Sequence, residues 1–547
     1  MTTVTEQRPA TALQPAAAVP ASSSHSPLLQ WLPLAIILAV QTVLSARLIP
    51  RGIATPDESL YIYSGHQLIS ELWHGGGSPY YETFFSGAPD LYPVLAATID
   101  HLGGLAAVRL ASLFFMLIST ALLYATARRI FGYWPAVTAA GLFAGLGITQ
   151  ALGALATYDA LSLMLTAAAA YCAVRAARDD AHAAQWLAFV PLALLAANAV
   201  KYASVLFDPV VFGLAALFIS HKGWKVAAQR FVALSTATLL LIILAVYLAG
   251  SAYFKGIAFT TLARKTGTQV IISDVYAPTH AIILSWWDWA GAILIIGVLA
   301  LLMSMLIFRE RRNAAVLAIL LSASVLVIAE YVHLHALTSF SKHADFGAWF
   351  TCMGGGYALA RAAELARRSY VKFPLIAVAL TAAIFVGLHY SDSGIGGQLR
   401  DSRLFVLLKP YLELKNGRYL LGGVLDTQMI YTEHINAAWY QYVDDNYIKY
   451  PIPSRGGDSH GQATGLACTR LGPNCMYLEG IAGYQAAIRA HWFTLISMAG
   501  SRGTLQDAEI EQAVERSPGY VLLTTVGGAP TWIYAPAYQS ILRHQNV

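Results

Sequence analysis

The segment Ala54–Tyr61, with the sequence ATPDESLY, carries two adjacent carboxylates, Asp57 and Glu58, shortly after the strongly apolar segment Trp31–Ala46. A helix that crosses a bilayer needs about 20 apolar residues, so Trp31–Ala46 is nearly long enough to span a membrane. Pro56 suits the first turn of a helix, and the residues after it follow a helical pattern. The sequence therefore predicts a membrane span and then a short helix on the membrane surface, with both carboxylates near its start.

The composition is that of a protein that crosses the membrane many times. Of the 547 residues, 57% are apolar and only 12% are charged, and the mean hydropathy is +0.54. These values exclude a soluble globular protein. The sequence also contains no basic run with interleaved aromatic residues outside the apolar segments, so we expect no nucleic-acid binding.

Eleven apolar segments follow one another as candidate spans. They are Trp31–Ala46, Leu110–Ala127, Gly132–Ala156, Ala160–Val174, Ala183–Val200, Ala203–Ser220, Phe231–Phe254, Trp286–Phe308, Asn313–Ala329, Phe346–Ala360 and Phe373–Tyr390. The basic clusters, such as Arg128–Arg129, follow the even-numbered segments. Because positively charged loops stay in the cytoplasm, this pattern predicts a cytoplasmic N-terminus and an extracytoplasmic C-terminus. We expect the protein in a bacterial plasma membrane.

The composition divides the chain into three parts. Residues 1–29 are rich in Ala, Pro, Ser and Thr, which predicts a disordered cytoplasmic tail. Residues 30–390 form a transmembrane domain, whose outer loop, 49–105, is expected to contain membrane-surface helices. Residues 391–547 are more polar and long enough for an extracytoplasmic domain. Within this domain the pattern predicts strands at 417–423 and 519–524 and helices at 477–498 and 505–516, an α/β arrangement.

Two of the four cysteines frame a turn in the C-terminal region. Cys468 and Cys475 flank a Gly-Pro-Asn sequence that would bring their sulfur atoms together. Metal binding is less favoured, because no nearby His or Cys completes a site. A disulfide needs an oxidising compartment, so the predicted bond agrees with an extracytoplasmic domain. Cys172 and Cys352 lie in apolar segments and are expected to be buried thiols.

Four polar clusters lie at the ends of apolar segments on the predicted outer side. They are Asp57–Glu58, Thr157–Asp159, Lys201–Tyr202 and Ser341–Asp345. Charged residues in a span cost about 2.5–3.5 kcal/mol at its centre, so charges close to the membrane are functional candidates. Arg109 and Asp208 are exceptions to this one-sided distribution. The shared side of the four clusters predicts an active site on the outer face.

Each cluster also has a purely structural interpretation. Asp57 or Asp159 could cap the helix that each of them begins, because helix starts favour carboxylates. Lys201 could extend its ammonium group to the lipid headgroups. Lys342 and His343 could be an ordinary loop pair, and His343 alone is not a metal site. The local patterns leave these alternatives open.

Several short motifs resemble those of the GT-C membrane glycosyltransferases. They are Asp57–Glu58 after a first span, Pro89–Pro93, Gly103–Gly104, Arg109–Leu110, Thr157–Ala160 and Asn198–Tyr202. Within this superfamily the order and spacing are similar to the branch that holds the protein O-mannosyltransferases and the lipid A aminoarabinose transferase. The resemblance covers roughly residues 30–390. It implies a helical membrane protein of about 11 transmembrane helices, followed here by the C-terminal α/β domain.

The resemblance implies an inverting transfer of a hexosyl or pentosyl group from a polyprenyl-phosphate donor. The acceptor would be a hydroxyl group of a cell-envelope glycan, a lipid or a protein at the bilayer surface. Asp57 would be the general base and Glu58 a secondary catalytic residue. The substrate-binding residues would be Tyr61, Tyr158, Asp159, Lys201, Tyr202, Lys342 and His343. No metal ligands are predicted, and the resemblance allows a divalent metal ion without requiring one.

A membrane transporter and a non-catalytic polysaccharide-assembly protein are the alternative functions. A transporter predicts charged residues near the middle of spans and broken helices in related halves of the chain. Here the charges cluster towards one face, and the first outer loop is long and acidic. This distribution favours the glycosyltransferase.

Overall fold

The computed structural model describes residues 27–75, 81–83, 85–258, 277–335, 337, 339–365, 369–396, 403–414, 416–422, 425–435, 438–445, 448–452, 477–498, 505–526 and 529–545. Residues 1–26 of the predicted disordered tail and the predicted Cys468–Cys475 pair lie outside these ranges. Both thiols that the structure does describe, Cys172 and Cys352, are buried and free.

Helices make up most of the described chain up to residue 412. They are α1 (Pro27–Ala46), α2 (Pro56–His74), α3 (Tyr92–Phe131), α4 (Tyr133–Gly145), α5 (Gly147–Leu152), α6 (Tyr158–Arg175), α7 (Ala183–Val200), α8 (Asp208–Ile219), α9 (Trp224–Ala249), α10 (Ser251–Ala258), α11 (Thr279–Ile307), α12 (Arg311–Leu334), α13 (Phe340–Leu365), α14 (Ser369–Gly396) and α15 (Arg403–Leu412). Helix α11 includes π-helical turns at Trp287–Gly291 and Met303–Ile307. Short 3₁₀ turns occupy Tyr81–Thr83, Tyr202–Phe207 and Ser220–Lys222.

All eleven predicted apolar segments overlap these helices, although residues 153–156 and 203–207 of two of them are not α-helical. Among the described residues, seven helical segments are long and apolar enough to cross a membrane, and Trp31–Ala46 is a shorter apolar helix. The predicted span 132–156 is instead two helices, α4 and α5, joined at Leu146, whose backbone is extended. The bend brings Gly147 against α14, where an added Cβ would lie 2.8 Å from the Gly387 carbonyl oxygen. Close backbone packing therefore accompanies the break in this segment.

The second membrane helix begins earlier than the hydropathy pattern suggests. Helix α3 starts at Tyr92 and is sharply kinked at Gly103–Gly104, where Gly104 has φ of +67°. The left-handed backbone at Gly104 suits glycine, which has no Cβ to clash. The kink separates a first arm, residues 92–102, from the apolar part that begins near Leu105. Helix α2 and this arm lie in residues 49–105, the loop for which the sequence predicts helices.

The C-terminal region contains a small mixed sheet. Its strands are β1 (Tyr419–Leu421), β2 (Tyr442–Asp444), β3 (Tyr450–Pro451), β4 (Tyr477–Leu478), β5 (Leu495–Ser497), β6 (Tyr520–Val526) and β7 (Ala529–Tyr534). Five of them form a sheet in the order β2-β1-β5-β7-β6, and β3 and β4 form a separate pair. Strand β1 pairs in parallel with β2 and β5, whereas β7 pairs antiparallel with β5 and β6.

Four helices accompany this sheet, α16 (Leu425–Glu433), α17 (Gly480–Arg489), α18 (Leu505–Glu515) and α19 (Ala535–Gln545). The predicted strands at 417–423 and 519–524 and the predicted helix at 505–516 correspond to β1, β6 and α18. The single helix predicted at 477–498 is wrong: only its central part is helical, and Leu495–Ser497 is a buried strand at the centre of the sheet. Three buried residues are too few for periodicity to separate strand from helix.

Candidate active site

The start of α2 is fixed by a reciprocal cap between Thr55 and Glu58. The Thr55 hydroxyl accepts a hydrogen bond from the Glu58 backbone N–H at 3.4 Å, and Glu58 Oε2 accepts one from the Thr55 N–H at 2.7 Å. This arrangement is a capping box, with Pro56 at the first helical position. Thr55 is therefore the cap, and the interpretation of Asp57 as the helix cap is wrong.

Glu58 is completely buried and lies opposite Arg109 of α3. Two parallel hydrogen bonds of 2.8 Å join the Arg109 guanidinium to both carboxylate oxygens. The Ala156 N–H donates a further bond of 2.7 Å to Oε1. With the Thr55 N–H, the carboxylate accepts four hydrogen bonds. This pattern is that of a structural ion pair that joins α2, α3 and the start of α6.

The Asp57 side chain points away from the buried environment of Glu58. Its side chain is 48% exposed, and Oδ2 accepts a hydrogen bond from Lys342 Nζ at the start of α13. Among the described residues, Lys342 is the single hydrogen-bond partner of the Asp57 carboxylate. Asp57 is therefore the accessible carboxylate of the pair, and a cation from a helix 285 residues away orients it.

Asp159 and Lys201 form a second ion pair, at the start of α6 and the end of α7. Both are buried, and Lys201 Nζ donates to Asp159 Oδ1. The ammonium also lies 5.2 Å from the centre of the Tyr158 ring, a cation–π contact. Asp159 Oδ2 is buried and has no hydrogen-bond partner among the described residues. Asp159 therefore pairs with Lys201 and keeps one oxygen able to accept a hydrogen bond.

Lys201 lies within electrostatic range of the other ion pair. Burial lowers the pKa of Lys201, the Asp159 and Asp57 carboxylates raise it, and the Lys342 ammonium lowers it further, with a net shift below the ordinary value. The side chain is only 2% exposed. Its ammonium therefore does not extend to the headgroups from this position, and the snorkelling interpretation does not fit the structure. Together with the Glu58–Arg109 pair, these two ion pairs form one charged cluster.

The loop before α3 holds the Lys201 segment by its backbone. The Ala88 N–H donates to the Ala199 carbonyl at 2.7 Å, and the Tyr202 N–H donates to the Ser86 carbonyl at 2.8 Å. Between these bonds, a Cβ added at Gly87 would lie 2.0 Å from the Val200 carbonyl oxygen. Only glycine permits this approach. The loop thereby fixes the chain on both sides of Lys201.

Aromatic side chains surround the charged cluster. The Tyr61 and Tyr158 rings are 4.6 Å apart, and Tyr61 also makes edge contacts with Phe85 and Tyr92 at 5.4 and 6.1 Å. The buried hydroxyl of Tyr202 has no hydrogen-bond partner among the described residues. These rings exclude water from Asp159 and Lys201, and the Tyr202 hydroxyl can bind a substrate oxygen.

The other predicted residue of α13 has a protein partner. His343 Nδ1 is 2.8 Å from the Tyr331 hydroxyl of α12. The buried Asp345, which sequence reasoning did not assign a role, accepts a 2.7 Å hydrogen bond from Thr149. Lys342 and His343 are thus not an interacting loop pair: they belong to a helix and bind Asp57 and Tyr331.

The residues of the cluster do not fit a divalent cation. Each carboxylate already faces a cationic side chain: Asp57 faces Lys342, Glu58 faces Arg109 and Asp159 faces Lys201. In the part of the chain that the structure describes, no group of three His, Cys, Asp or Glu residues converges as metal ligands would. We therefore derive no step through a metal ion.

Arg109 is the main residue that sequence reasoning missed as a partner of the site. The sequence did contain one indication of this role: Arg109 lies beside an apolar segment, and a buried charge needs a partner of opposite charge. The sequence offered no way to identify Glu58 as that partner, 51 residues away.

Comparisons with known proteins agree with this architecture. Residues 94–249 match the family model described as dolichyl-phosphate-mannose-protein mannosyltransferase. Among curated protein sequences, none matches the chain. The solved structures that are similar over most of the chain include the following two. ArnT from Cupriavidus metallidurans, bound to undecaprenyl phosphate, aligns with 13% identity and a TM-score of 0.56, covering 93% of this chain and 98% of that one.

The archaeal oligosaccharyltransferase AglB from Archaeoglobus fulgidus, in complex with an inhibitory peptide and a dolichol-phosphate, aligns with 13% identity and a TM-score of 0.50. The alignment covers 74% of this chain and 64% of AglB, so it spans less than two thirds of that protein. At these identities the likeness concerns the fold. The chain is a multi-pass membrane protein with the fold of the GT-C membrane glycosyltransferases, which confirms the fold that the resemblance implied.

Proposed function

We propose that the protein transfers one sugar from a polyprenyl-phosphate donor to an acceptor hydroxyl group at the outer face of the membrane. The GT-C fold and two structural neighbours recorded with a polyprenyl or dolichol phosphate support a lipid-linked donor. The geometry of Asp57 supports the chemistry. Of the three carboxylates in the cluster, Asp57 alone is half exposed, whereas Glu58 and Asp159 are buried.

In this proposal Asp57 is the general base. The acceptor oxygen attacks the anomeric carbon, its proton passes to Asp57, and the bond from that carbon to the phosphate oxygen breaks. Polyprenyl phosphate leaves with the bonding electrons, and attack from the opposite side inverts the anomeric configuration. A positioned base contributes about 10²–10⁴ in rate. Lys342 orients the Asp57 carboxylate through their direct contact.

The buried side of the cluster binds the donor. A lysine ammonium has three N–H donors, and Lys201 uses one on Asp159. The other two can bind the phosphate, whose charge grows as the sugar leaves. Asp159 Oδ2 and the Tyr202 hydroxyl, both buried without partners among the described residues, can bind sugar hydroxyls. Tyr61 and Tyr158 provide the aromatic surface beside the sugar, and His343 adds charge when protonated.

The fold does not determine the sugar or the acceptor. Both structural neighbours named above carry a phosphate lipid, and one also carries a peptide, which makes a lipid, glycan or protein hydroxyl group an equal candidate here. We propose hexosyl and pentosyl donors as the classes to test. We also propose that the protein lies in a bacterial plasma membrane, with residues 391–547 as an extracytoplasmic domain.

The test is glycosyl transfer by the purified protein in detergent, with radiolabelled polyprenyl-phosphate hexoses and pentoses as donors. A membrane extract supplies the acceptors, and the label is counted in its lipid, glycan and protein fractions. We expect transfer from one polyprenyl-phosphate sugar. Asp57→Asn should lower kcat by about 10²–10⁴ with donor affinity largely kept, because only the base is lost. Lys201→Ala should instead weaken donor binding, because its charge contacts phosphate before and during reaction.

Asp180→Asn is the matched control, because Asp180 is 83% exposed and follows the far end of α6 from Asp159. It should leave transfer unchanged. More than about a tenth of the activity in Asp57→Asn, above what loss of a base allows, would show that the base lies elsewhere, with Asp159 the next candidate. Transfer from nucleotide sugars alone would contradict the proposed donor class.

A further inference from the structure

The peptide group between Ala54 and Thr55 is held from two sides. Its N–H donates to the Glu58 carboxylate at 2.7 Å, as part of the cap of α2. Its carbonyl accepts a 2.6 Å hydrogen bond from the side-chain amide of Gln428, on helix α16 of the C-terminal region. Gln428 is completely buried, and Ala54 is 2% exposed. Asp57 is only two residues after Thr55 in the sequence.

The preceding residues are fixed by Arg109. Its guanidinium donates to the carbonyl groups of Ile49 at 2.6 Å, Ile53 at 3.2 Å and Arg51 at 3.3 Å. Arg109 and Gln428 together therefore bind four carbonyl groups between α1 and α2. These hydrogen bonds restrict the conformation of the connection from residue 49 to residue 55. The connection ends at Thr55, which caps the helix turn that carries Asp57.

Helix α16 is attached to the outer loop at a second point. One turn after Gln428, the Tyr431 hydroxyl donates to Asp100 Oδ1 at 2.5 Å. The other oxygen of Asp100 lies 2.8 Å from His66 Nε2 of α2. Residues three apart in a helix share one face, so both contacts come from the same side of α16. Two polar contacts thus orient α16 on α2 and on the first arm of α3.

We infer that the C-terminal region is a part of the catalytic apparatus, and that Gln428 is a positioning residue for Asp57. It does not touch substrate. It holds the Ala54 carbonyl and thereby sets the direction in which the first turn of α2 presents the Asp57 carboxylate. A base displaced by even about 1 Å loses much of its effect, which makes a distant hydrogen bond matter for rate. This inference rests on the proposed role of Asp57 as the base.

The test compares Gln428→Ala with the wild-type full-length protein in the transfer assay. Loss of one hydrogen bond at the Ala54 carbonyl should lower kcat about three- to tenfold. The KM for the donor should stay within about twofold, because the donor phosphate does not contact this region. In the Asp57→Asn background, Gln428→Ala should cause no further loss, since both changes act on the same group.

Gln428→Glu provides a readout that a purely structural role would not change. An ionised carboxylate cannot donate to the Ala54 carbonyl, whereas the protonated acid can. Burial raises the pKa of a carboxyl group, so protonation should begin near neutral pH. The kcat of Gln428→Glu relative to wild type should therefore rise as the pH falls from about 8 to about 5.5.

Gln441→Ala is the matched control. Gln441 is also a mostly buried amide of the C-terminal region, but its partners among the described residues, Leu414, Gly417 and Ala438, all belong to that same region. An equal loss of kcat in Gln441→Ala, or a pH-independent loss in Gln428→Glu, would show a general effect on folding and overturn the inference. Full activity in Gln428→Ala, combined with an inactive Asp57→Asn, would also overturn the inference. Retained activity in Asp57→Asn would instead show that the base lies elsewhere, and it would overturn the role of Asp57 on which this inference rests.

Discussion

Adjacent residues on one helix turn can have opposite roles, and Asp57 and Glu58 are such a pair. Both were candidate catalytic carboxylates in the sequence. The structure buries Glu58 against Arg109 with four hydrogen bonds and leaves Asp57 half exposed against Lys342. A carboxylate that accepts four bonds has little capacity left to take a proton. We therefore propose that Glu58 supports the site and that Asp57 performs the chemistry.

This division of roles predicts different phenotypes for the Glu58→Gln and Asp57→Asn variants. Glu58→Gln leaves the buried Arg109 without a charged partner, and removing one member of a buried pair costs roughly 3–5 kcal/mol. We expect a clearly lower melting temperature of the detergent-solubilised protein. Asp57→Asn removes a half-exposed charge and should barely change the melting temperature.

Thermal unfolding of both variants, followed beside the transfer assay, separates stability from turnover. A Glu58→Gln variant with wild-type stability and no activity would assign Glu58 a chemical role after all. A strongly destabilised Asp57→Asn would show that Asp57 is structural.

Elements far apart in the chain meet at the site through loops that hydropathy cannot place. Apolar periodicity predicted most of the helices, including the one after Pro56, because burial in lipid or protein selects apolar residues. It did not predict that α3 begins at Tyr92, because the Gly103–Gly104 kink interrupts the pattern. Nor could it pair Lys342 with Asp57, since a contact across 285 residues depends on tertiary packing.

The loop around Gly87 gives a prediction at this scale. Gly87→Ala would place a Cβ only 2.0 Å from the Val200 carbonyl oxygen, so the loop or the Lys201 segment must move. Such overpacking costs about 1–3 kcal/mol and disturbs the two backbone hydrogen bonds beside it. We expect a higher KM for the donor, because the shift displaces Lys201.

Gly354→Ala is the control for this change, because its added Cβ would be 3.4 Å from Leu317, an ordinary contact. Donor KM and turnover should then be close to those of the wild type. An unchanged KM in Gly87→Ala would show that the loop does not position the donor cation.

At the scale of the whole molecule, a C-terminal region with its own sheet lies against the loop between α1 and α3. The change in composition after residue 391 predicted a separate α/β region. It could not predict the docking of this region, because Gln428 and Tyr431 are ordinary helix residues whose partners lie in the membrane domain. Asp392, near the end of α14 and before the sheet of this region begins, forms ion pairs with Arg47 and Arg51 at 2.5 Å.

The orientation of the molecule can be tested with its cysteines. If Cys468 and Cys475 are disulfide-bonded outside the cell, a membrane-impermeant thiol reagent should label intact cells only after a reductant is added. Cys172 and Cys352 are buried and should not contribute to the signal. Labelling of untreated cells would contradict the disulfide, and a lack of labelling after reduction would contradict the outward placement.

The pairing of every carboxylate in the cluster with its own cation has a kinetic consequence. Three ion pairs leave the described cluster with no formal net charge. A neutral site exerts little long-range attraction on an anionic lipid, unlike the charged clefts that accelerate capture from solution. The rate of encounter with the donor then depends on lateral diffusion of the donor lipid within the leaflet and on the surface density of that lipid. The ionic strength of the surrounding medium has little influence on that encounter.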